Sequence, residues 1–460
     1  MDIVSQRAVR LSAELNRKYK KGVFSIMTDR MQRLKVSDNK RFLVREDGSP
    51  FFWLADTAWE LFHRLNREEA ELYLRNRAER GFSVIQAVAL AEHEGLTVGN
   101  AYERLPLKKN EQGQYDPLLP DLDGDYSYWA HVDYIVDLAA ELGLYIAFLP
   151  TWGDKYNLMW GKGPEIFSAD NARNYGQWLG ERYKDKENIV WVLGGDRPQL
   201  TREHFDIIGS MAEGLREGDG GTHLMTFHPP GDKSSSVHMH EEPWLAFNMI
   251  QSGHHAWIRT NFEKVAADYE REPIKPVVDG EPCYEDHPVN FNADNGYFDA
   301  DDVRKAAYHA VFAGAFGHTY GHHSVWSMTT KPDTYFVMTW QDAILRPGAA
   351  QMSHLRRLIE SRDFLSRVPD QSLIAHNYGG ANRMTATRGE NYAMIYSPNG
   401  IPFQAAMGKI RGTSVKASWY DPRSGVWTDA GIIANEGEVH YQPPTSGRDG
   451  DWILVLDSLE

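Results

Sequence analysis

Cysteine is nearly absent from this sequence, and so are long apolar runs and an excess of basic charge. Cys283 is the single cysteine among 460 residues, which excludes an intramolecular disulfide and a cysteine-based zinc cluster. No stretch approaches the roughly 18 to 20 consecutive apolar residues of a membrane-spanning helix. The 64 acidic and 49 basic residues leave a net charge of −15, which disfavours binding to nucleic acid phosphates. We therefore expect neither a membrane nor a nucleic acid partner.

Aromatic residues, by contrast, are abundant. The chain contains 14 Trp, 22 Tyr and 19 Phe together with 18 His, more than a hydrophobic core alone usually requires. Carbohydrate sites use such flat rings, because the C–H face of a sugar packs on them while its hydroxyl groups need polar partners. The composition therefore favours a protein that acts on an oligosaccharide or polysaccharide.

Eight apolar runs that end in polar or aromatic residues alternate with helical patterns. The runs occupy residues 51–59, 84–90, 144–153, 188–196, 223–229, 247–254, 275–282 and 317–323. Asn66 followed by Glu69 predicts a helix that begins with a capping box and stops at Gly81. Further helices are predicted at residues 126–142, 201–216, 261–271, 302–316 and 352–364, and the connection 230–246 lacks a long helix. This alternation predicts an α/β fold, a (β/α)8 TIM barrel over residues 35–368.

The pattern changes at both ends of the predicted barrel. Beyond residue 369, Gly, Pro and Asn turns separate short strands predicted at residues 372–377, 383–387, 392–397, 415–421, 426–430 and 452–457, which indicates a small antiparallel β-sandwich over 369–460. Residues 1–34 are predicted to be an N-terminal helical extension without the apolar region of a signal peptide. The compartment stays open: periplasmic or secreted if a signal was removed, cytoplasmic otherwise.

Two acidic residues at predicted strand ends are candidates for catalysis. Asp196 follows the fourth strand in a GGD sequence, and Glu281 follows the seventh in DGE. The active site of a barrel lies at the carboxyl ends of its strands, and the preceding glycines let the backbone bend and present each acid to the cavity. Hydrolysis of a glycosidic bond needs one protonated and one ionised carboxyl group. We expect Asp196 to be the acid/base and Glu281 the nucleophile, although a structural ion pair, for instance of Asp196 with Arg197, is the alternative.

Other polar and aromatic residues at the strand ends are candidates for binding the substrate. They are Asp56, Trp59, Gln86, Trp152, Asp154, Arg197, His228, Gln251, His254, Tyr320, His322, His323 and Trp326, with Trp160 as a further stacking residue. The tryptophans either stack on sugar rings or pack beside the barrel strands. The aspartates would bind hydroxyl groups, unless Asp56 serves as a cap. The histidines lack metal-ligand spacing with a matching carboxylate, so we expect them to bind hydroxyl groups and expect no metal or other cofactor.

Several long motifs resemble those of the apiosidase-like glycoside hydrolases, family 140 of the carbohydrate-enzyme classification. They include FFWLADTAWELFHRL, IVWVLGGDRP, FNMIQSGHH, VVDGEPCYEDHP and GAFGHTYGHHSVW, and the resemblance covers residues 35–368. It implies that the aspartate of GGD, Asp196, and the glutamate of DGE, Glu281, form the catalytic pair. It also implies release of the branched pentose apiose from plant pectin. The C-terminal part resembles the β-sandwich named for collagen binding that accompanies these barrels.

Two further functions are compatible with the sequence. One is a non-catalytic barrel that binds glycans, which the presence of both carboxylates disfavours. The other is a metal-dependent barrel hydrolase that uses the histidines. For the glycoside hydrolase, the long connection 91–125 is predicted to close one end of the substrate groove, with Glu92, His93, Asn100 and Tyr102 at the catalytic face. The connection after the third strand, with Trp152, Lys155 and Trp160, is predicted to form a second wall.

Overall fold

The computed structural model describes residues 31–257 and 260–460. The predicted (β/α)8 barrel is confirmed. Its parallel strands are β1 Trp53–Thr57, β2 Val84–Val88, β3 Tyr145–Leu149, β4 Ile189–Gly194, β5 Met225–His228, β6 Asn248–Gln251, β7 Val277–Asp279 and β8 Gly317–Tyr320. They pair in the order β5-β4-β3-β2-β1-β8-β7-β6, with the short antiparallel strand Lys233–Ser234 beyond β6. A bridge between Met225 and Leu245 brings β5 back towards the chain before β6 and nearly closes the barrel.

Helices cover the outside of the barrel. They are α1 Leu61–Arg64, α2 Arg67–Glu79, α3 Tyr128–Glu141, α4 Ala169–Tyr183, α5 Arg202–Asp219, α6 Ser236–Met239, α7 Asn261–Tyr269, α8 Ala300–Phe312, α9 His323–Trp326, α10 Trp340–Ala343 and α11 Pro347–Glu360. The capping box of Asn66 and Glu69 is present at the start of α2. Helix α4 was not predicted from the sequence. Its 15 residues include two glycines at which its backbone lies against that of α5. There Gly176 and Gly180 leave no room for a Cβ atom.

The barrel strands are buried on both faces, as a parallel sheet under helices requires. Every residue of β1 to β6 is buried. Two antiparallel additions flank this core. One is a three-stranded sheet of Leu34–Val36, Leu43–Arg45 and Pro50–Phe51, and the other is a hairpin of Leu107–Lys109 and Tyr115–Pro120 within the connection after β2. That connection therefore has secondary structure of its own. The helical prediction for residues 1–30 lies outside the described residues.

The C-terminal part is an antiparallel β domain, as predicted. Its strands are β9 Val368–Pro369, β10 Thr385–Arg388, β11 Tyr392–Ser397, β12 Phe403–Ala406, β13 Ser414–Tyr420, β14 Trp427–Ala434, β15 Glu438–Tyr441 and β16 Trp452–Ser458. Six pair in the order β9-β10-β11-β16-β13-β14, and β12 pairs with β15. The prediction of a strand at residues 372–377 was wrong, because Gln371–Leu373 form a 3₁₀ turn that is capped by Asp370. Strands β12 and β15 were not predicted.

The six-stranded sheet has two buried faces. Tyr392, Met394 and Tyr396 of β11 belong to the same apolar core as the barrel. The intervening Ala393 and Ile395 face the core between the sheet and the β12–β15 hairpin. Neighbouring side chains of a strand point to opposite faces. Strand β11 therefore packs against the barrel with one set of alternate residues and against the β12–β15 hairpin with the other. The β domain is therefore continuous with the barrel core. Among the described residues, no helix is both long and apolar enough to cross a membrane.

Candidate active site

A cavity of about 840 Å³ opens at the carboxyl ends of the barrel strands. Its wall contains both predicted catalytic residues, Asp196 and Glu281. Five predicted binding residues also line it: Trp59, Trp152, Gln251, His254 and Trp326. Trp160, Glu92 and His93, which were predicted to contribute from the loops, line it as well. The fold thus brings together residues from six different strand ends and from the adjoining loops.

Asp196 reaches the cavity through a left-handed turn of the backbone. Gly194, Gly195 and Asp196 have φ angles of 93°, 109° and 54°. A Cβ atom at Gly194 would lie 2.4 Å from the carbonyl oxygen of His228, so a side chain there would clash as well as strain the backbone. Positive φ at a non-glycine residue is uncommon and carries strain. The GGD sequence therefore turns the chain sharply where β4 ends.

Glu281 is placed by a close approach of the backbone. A Cβ atom at Gly280 would lie 2.5 Å from Cγ of Met249, so only glycine fits there. The amide of Gly280 donates to the carbonyl oxygen of Ile250 at 2.7 Å, and the side-chain amide of Gln86 donates to the carbonyl oxygen of Gly280 at 2.9 Å. Gln86 is therefore a buried support for the turn that carries Glu281, and it does not line the cavity.

Two histidines surround the carboxylate of Glu281. Nε2 of His228 lies 2.8 Å from Oε2 of Glu281, a charge contact whose angle is unfavourable for a hydrogen bond. Nε2 of His254 lies 3.3 Å from Oε1 of Glu281. Burial raises the pKa of Glu281, but the interactions with His228 and His254 outweigh this effect and lower the pKa to about 2. Glu281 is consequently ionised at neutral pH, as a nucleophile must be.

Asp196 has the opposite bias. Burial and the negative charge of Glu281 raise its pKa to about 7, against the lowering effect of His228 and Arg197. Its Oδ2 atom accepts a hydrogen bond of 3.3 Å from Nε1 of Trp160. A carboxyl group that keeps its proton near neutral pH can act as a general acid. The two carboxyl groups of the cavity are thus driven to different protonation states by their surroundings.

Histidine and aromatic rings continue from Glu281 across the cavity wall. The rings of His254 and His287 stack with centroids 4.3 Å apart, and His287 contacts His323 at 4.3 Å. Burial and then the neighbouring His254 and His323 hold the pKa of His287 well below its usual value, so its ring is neutral. Nε1 of Trp326 donates to Nδ1 of His323 at 3.1 Å. His323 therefore supports Trp326 from behind the cavity.

The remaining candidates lie outside the cavity lining. Asp56 accepts hydrogen bonds of 2.5 Å from Tyr73 and from Arg77, and Asp154 pairs with Lys155 at 2.7 Å. Tyr320 donates to Glu285 at 2.6 Å, and His322 lies 3.0 Å from Asp286. The structure therefore gives Asp56, Asp154, Tyr320 and His322 buried partners of their own. His228 supports Glu281 without lining the cavity. Arg197 lies behind Asp196 and pairs with its Oδ2 atom at 3.3 Å, so the ion pair considered as the alternative for Asp196 is present, while Asp196 still lines the cavity.

The sequence analysis missed several residues of the cavity. They are His255, Tyr284, His287, Phe291, Tyr335, Lys162, Lys233, Pro198, Pro230 and Gly231. Tyr284 and His287 follow Glu281 in the motif VVDGEPCYEDHP, so a search of the whole loop after β7, instead of its first residue, would have found them. Tyr335 and Phe291 lie in irregular loops and have no comparable signal. Within residues 31–257 and 260–460, one acidic trio has the spacing to share a cation, Asp299, Asp301 and Asp302. It lies away from this cavity and is bound by Arg448 and Lys305.

Comparison with known proteins identifies the family to which the chain belongs. Residues 37–366 match the model of the family described as "Apiosidase-like, catalytic domain". The chain belongs to the apiosidase-like family. Residues 368–457 match a second family, "Putative collagen-binding domain of a collagenase". A comparison with curated proteins finds no match.

Solved structures extend the relationship to the whole chain. A structure described as a glycoside hydrolase is 35% identical, covers 93% of this chain and 97% of its own, and has a TM-score of 0.82. A glycoside hydrolase family 5 structure from Bacteroides vulgatus is 34% identical, covers 93% of each chain and has a TM-score of 0.83. The apiosidase-like chain described here is therefore a glycosidase with a carbohydrate substrate, and the non-catalytic alternative is wrong.

Proposed function

We propose that this apiosidase-like enzyme removes a terminal apiose residue from a side chain of plant pectin, with Asp196 as acid/base and Glu281 as nucleophile. The observation that carries the assignment of roles is the opposite bias of the two carboxyl groups in one cavity. The pKa of Asp196 is raised to about 7, and the pKa of Glu281 is lowered to about 2. The sequence motifs and the family match support the choice of sugar.

The proposed reaction is a double displacement with retention of configuration. The Glu281 carboxylate attacks the anomeric carbon while the Asp196 carboxyl group gives its proton to the glycosidic oxygen, which leaves with the bonding electron pair. Asp196, now ionised, takes a proton from water, and the resulting hydroxide attacks the glycosyl–enzyme ester. The sugar is released, Glu281 is again a carboxylate and Asp196 is again protonated. His228 and His254 favour the ionised form of Glu281 at the start of this cycle.

Hydrolysis of a panel of plant polysaccharides and pectin-derived oligosaccharides tests this proposal. The released monosaccharides are identified by chromatography, and the Glu281→Gln variant is the control for contaminating activity. Release of apiose by the wild type alone supports the proposal. Release of a different sugar would contradict the assigned substrate, although the enzyme would still be a glycosidase.

A further inference from the structure

Trp160 lies at the mouth of the cavity beside the proposed acid. Its side chain is 46% exposed, although its ring lines the cavity and its Nε1 atom donates to Oδ2 of Asp196. A large aromatic ring that is half exposed in the mouth of a site has a free face for a ligand. The same loop also exposes Leu158 and Met159, and the loop after β4 exposes Leu200.

Arg197 fixes Trp160 in this position. The guanidinium group is fully buried, yet it donates to the carbonyl oxygen of Trp160 at 2.6 Å and to Oε1 of Glu92 at 2.5 Å. Its central carbon also lies 4.3 Å from the centre of the Trp160 ring. A buried charge needs such partners. One side chain therefore joins the loops after β2, β3 and β4, and it holds one face of the tryptophan ring.

The chemistry of the two carboxyl groups gives the cavity a direction. An acid that protonates the glycosidic oxygen must touch the atom that joins the released sugar to its leaving group. The residues around Glu281, among them His254, His287 and Tyr284, then surround the sugar whose anomeric carbon is attacked. Trp160 donates a hydrogen bond to Asp196. If Asp196 protonates the glycosidic oxygen, the indole ring beside it is next to the leaving group.

We propose that Trp160, fixed by Arg197 and Glu92, is the binding platform for the leaving-group sugar. Its ligand is the sugar residue that carries the cleaved oxygen, which packs an apolar C–H face on the indole ring. This inference rests on the proposed function, because it takes Asp196 to be the acid. In this proposal, the mouth of the cavity recognises the chain to which the released sugar is attached.

The test compares two substrates that share the released sugar and differ in the leaving group. One is the pectin-derived oligosaccharide cleaved by the wild type, and the other is the methyl glycoside of the sugar it releases. For each variant the ratio of kcat/KM for the oligosaccharide to kcat/KM for the methyl glycoside is measured. Trp160→Ala should lower this ratio by about tenfold, since the methyl group cannot use the ring. Trp160→Phe keeps a ring and should change the ratio by less than about threefold.

Trp326→Ala is the matched control, because Trp326 lines the same cavity but packs against His93 and His323. It should lower kcat/KM for both substrates and leave the ratio unchanged. A Trp160→Ala variant that loses activity equally on both substrates would overturn the platform and make Trp160 a support for Asp196 alone. Inactivity of the wild type on every glycoside would instead contradict the proposed function and this inference together.

Discussion

Asp196 and Glu281 face the same cavity in opposite electrostatic surroundings. Glu281 lies between His228 and His254, at 2.8 and 3.3 Å, whereas Asp196 accepts hydrogen bonds of 3.3 Å from the indole of Trp160 and from Nη1 of Arg197 and lies near the charge of Glu281. The charge of Glu281 itself contributes to the raised pKa of Asp196. In the proposed roles, the charge of the nucleophile Glu281 therefore helps to keep the acid Asp196 protonated.

Replacing Glu281 by Gln should abolish turnover while the fold persists. The substitution removes the nucleophilic charge at nearly constant shape, so we expect kcat to fall by at least about a thousandfold. The melting temperature should stay close to that of the wild type, measured by circular dichroism. Glu285→Gln is the matched control, since Glu285 is buried in the same loop with its pKa raised by burial and lies outside the cavity. A Glu281→Gln enzyme with the wild-type rate would refute the assignment.

The pH dependence of kcat/KM should show a basic limb near pH 7. Asp196 must be protonated to act as the acid, and its pKa is raised to about 7 by burial and by Glu281. Activity is thus present below that pH and is lost as the pH rises through it. The acidic limb should lie far lower, because Glu281 stays ionised down to about pH 2. Steady-state rates between pH 4 and 9 check this, and an enzyme with constant kcat/KM up to pH 9 would contradict Asp196 as the acid.

The stereochemistry of the product distinguishes the two carboxylate mechanisms. Retention requires carboxyl groups about 5 to 5.5 Å apart, and inversion requires roughly 6.5 to 9.5 Å. We expect retention, so proton NMR should first detect the anomer that has the configuration of the substrate. Azide should also restore activity to Asp196→Asn on substrates with good leaving groups, by attacking the glycosyl–enzyme ester. If the opposite anomer appears first, the mechanism is inverting, and Glu281 would act as a general base instead of a nucleophile. The enzyme would still be a glycosidase.

The barrel and its helices were predictable because their signals are local. Alternating apolar runs located all eight strands, and the Asn66–Glu69 capping box marked one helix start. Helix α4 was missed because small residues, among them Ala172, Gly176 and Gly180, form much of its buried face and leave few strongly apolar residues at helical spacing. Close packing between helices is a tertiary property, and a single segment does not reveal it.

Most of the correctly predicted cavity residues lie where strand ends reach the cavity directly, whereas Glu92, His93 and Trp160 were predicted from the loops. Asp196, Glu281, Gln251 and His254 meet this condition. Asp56 also lies at a strand end, but its carboxylate is engaged by Tyr73 and Arg77 from helix α2. Which polar residue has a partner inside the fold depends on the helix packed behind the strand, and the strand sequence does not contain that information.

The contact between the barrel and the β domain should contribute strongly to stability. Asp451 is fully buried and accepts from Nε and Nη2 of Arg304 at 2.8 and 2.7 Å and from the hydroxyl group of Tyr396 at 3.0 Å. Asp451→Asn removes the carboxylate that binds Arg304 through two hydrogen bonds and leaves the guanidinium with Asp301 and Asp449, at 3.2 and 3.1 Å, so we expect a loss of about 2 kcal/mol in the free energy of unfolding. Urea denaturation measures this loss. Glu390→Gln, in the exposed pair with Arg411, is the control and should cost less than about 1 kcal/mol.

Deletion of the β domain at about Pro369 extends this prediction. The deletion would expose the barrel surface covered by Tyr392, Met394 and Tyr396, so the truncated barrel should be insoluble or less stable. Trp419 and Tyr420 are buried in the β domain, as packing residues should be, whereas Trp427 is 43% exposed and packs on Tyr420. A truncated barrel of full stability that has lost only its affinity for polysaccharide would instead identify a binding module.

The shape of the cavity predicts release of single terminal units. Glu92 and His93 from the loop after β2 line the cavity together with Trp160 from the loop after β3, and Arg197 joins these loops at the mouth of the cavity, which leaves the opposite end as the one predicted to be closed. A groove closed at one end admits a chain terminus or a short side chain, whereas an endo-acting enzyme needs an open cleft. Time-resolved chromatography of the products should therefore detect a monosaccharide or one side-chain fragment from the first minutes. Early production of backbone oligomers of mixed length would show that the groove is open, because only an open groove lets a long chain pass through.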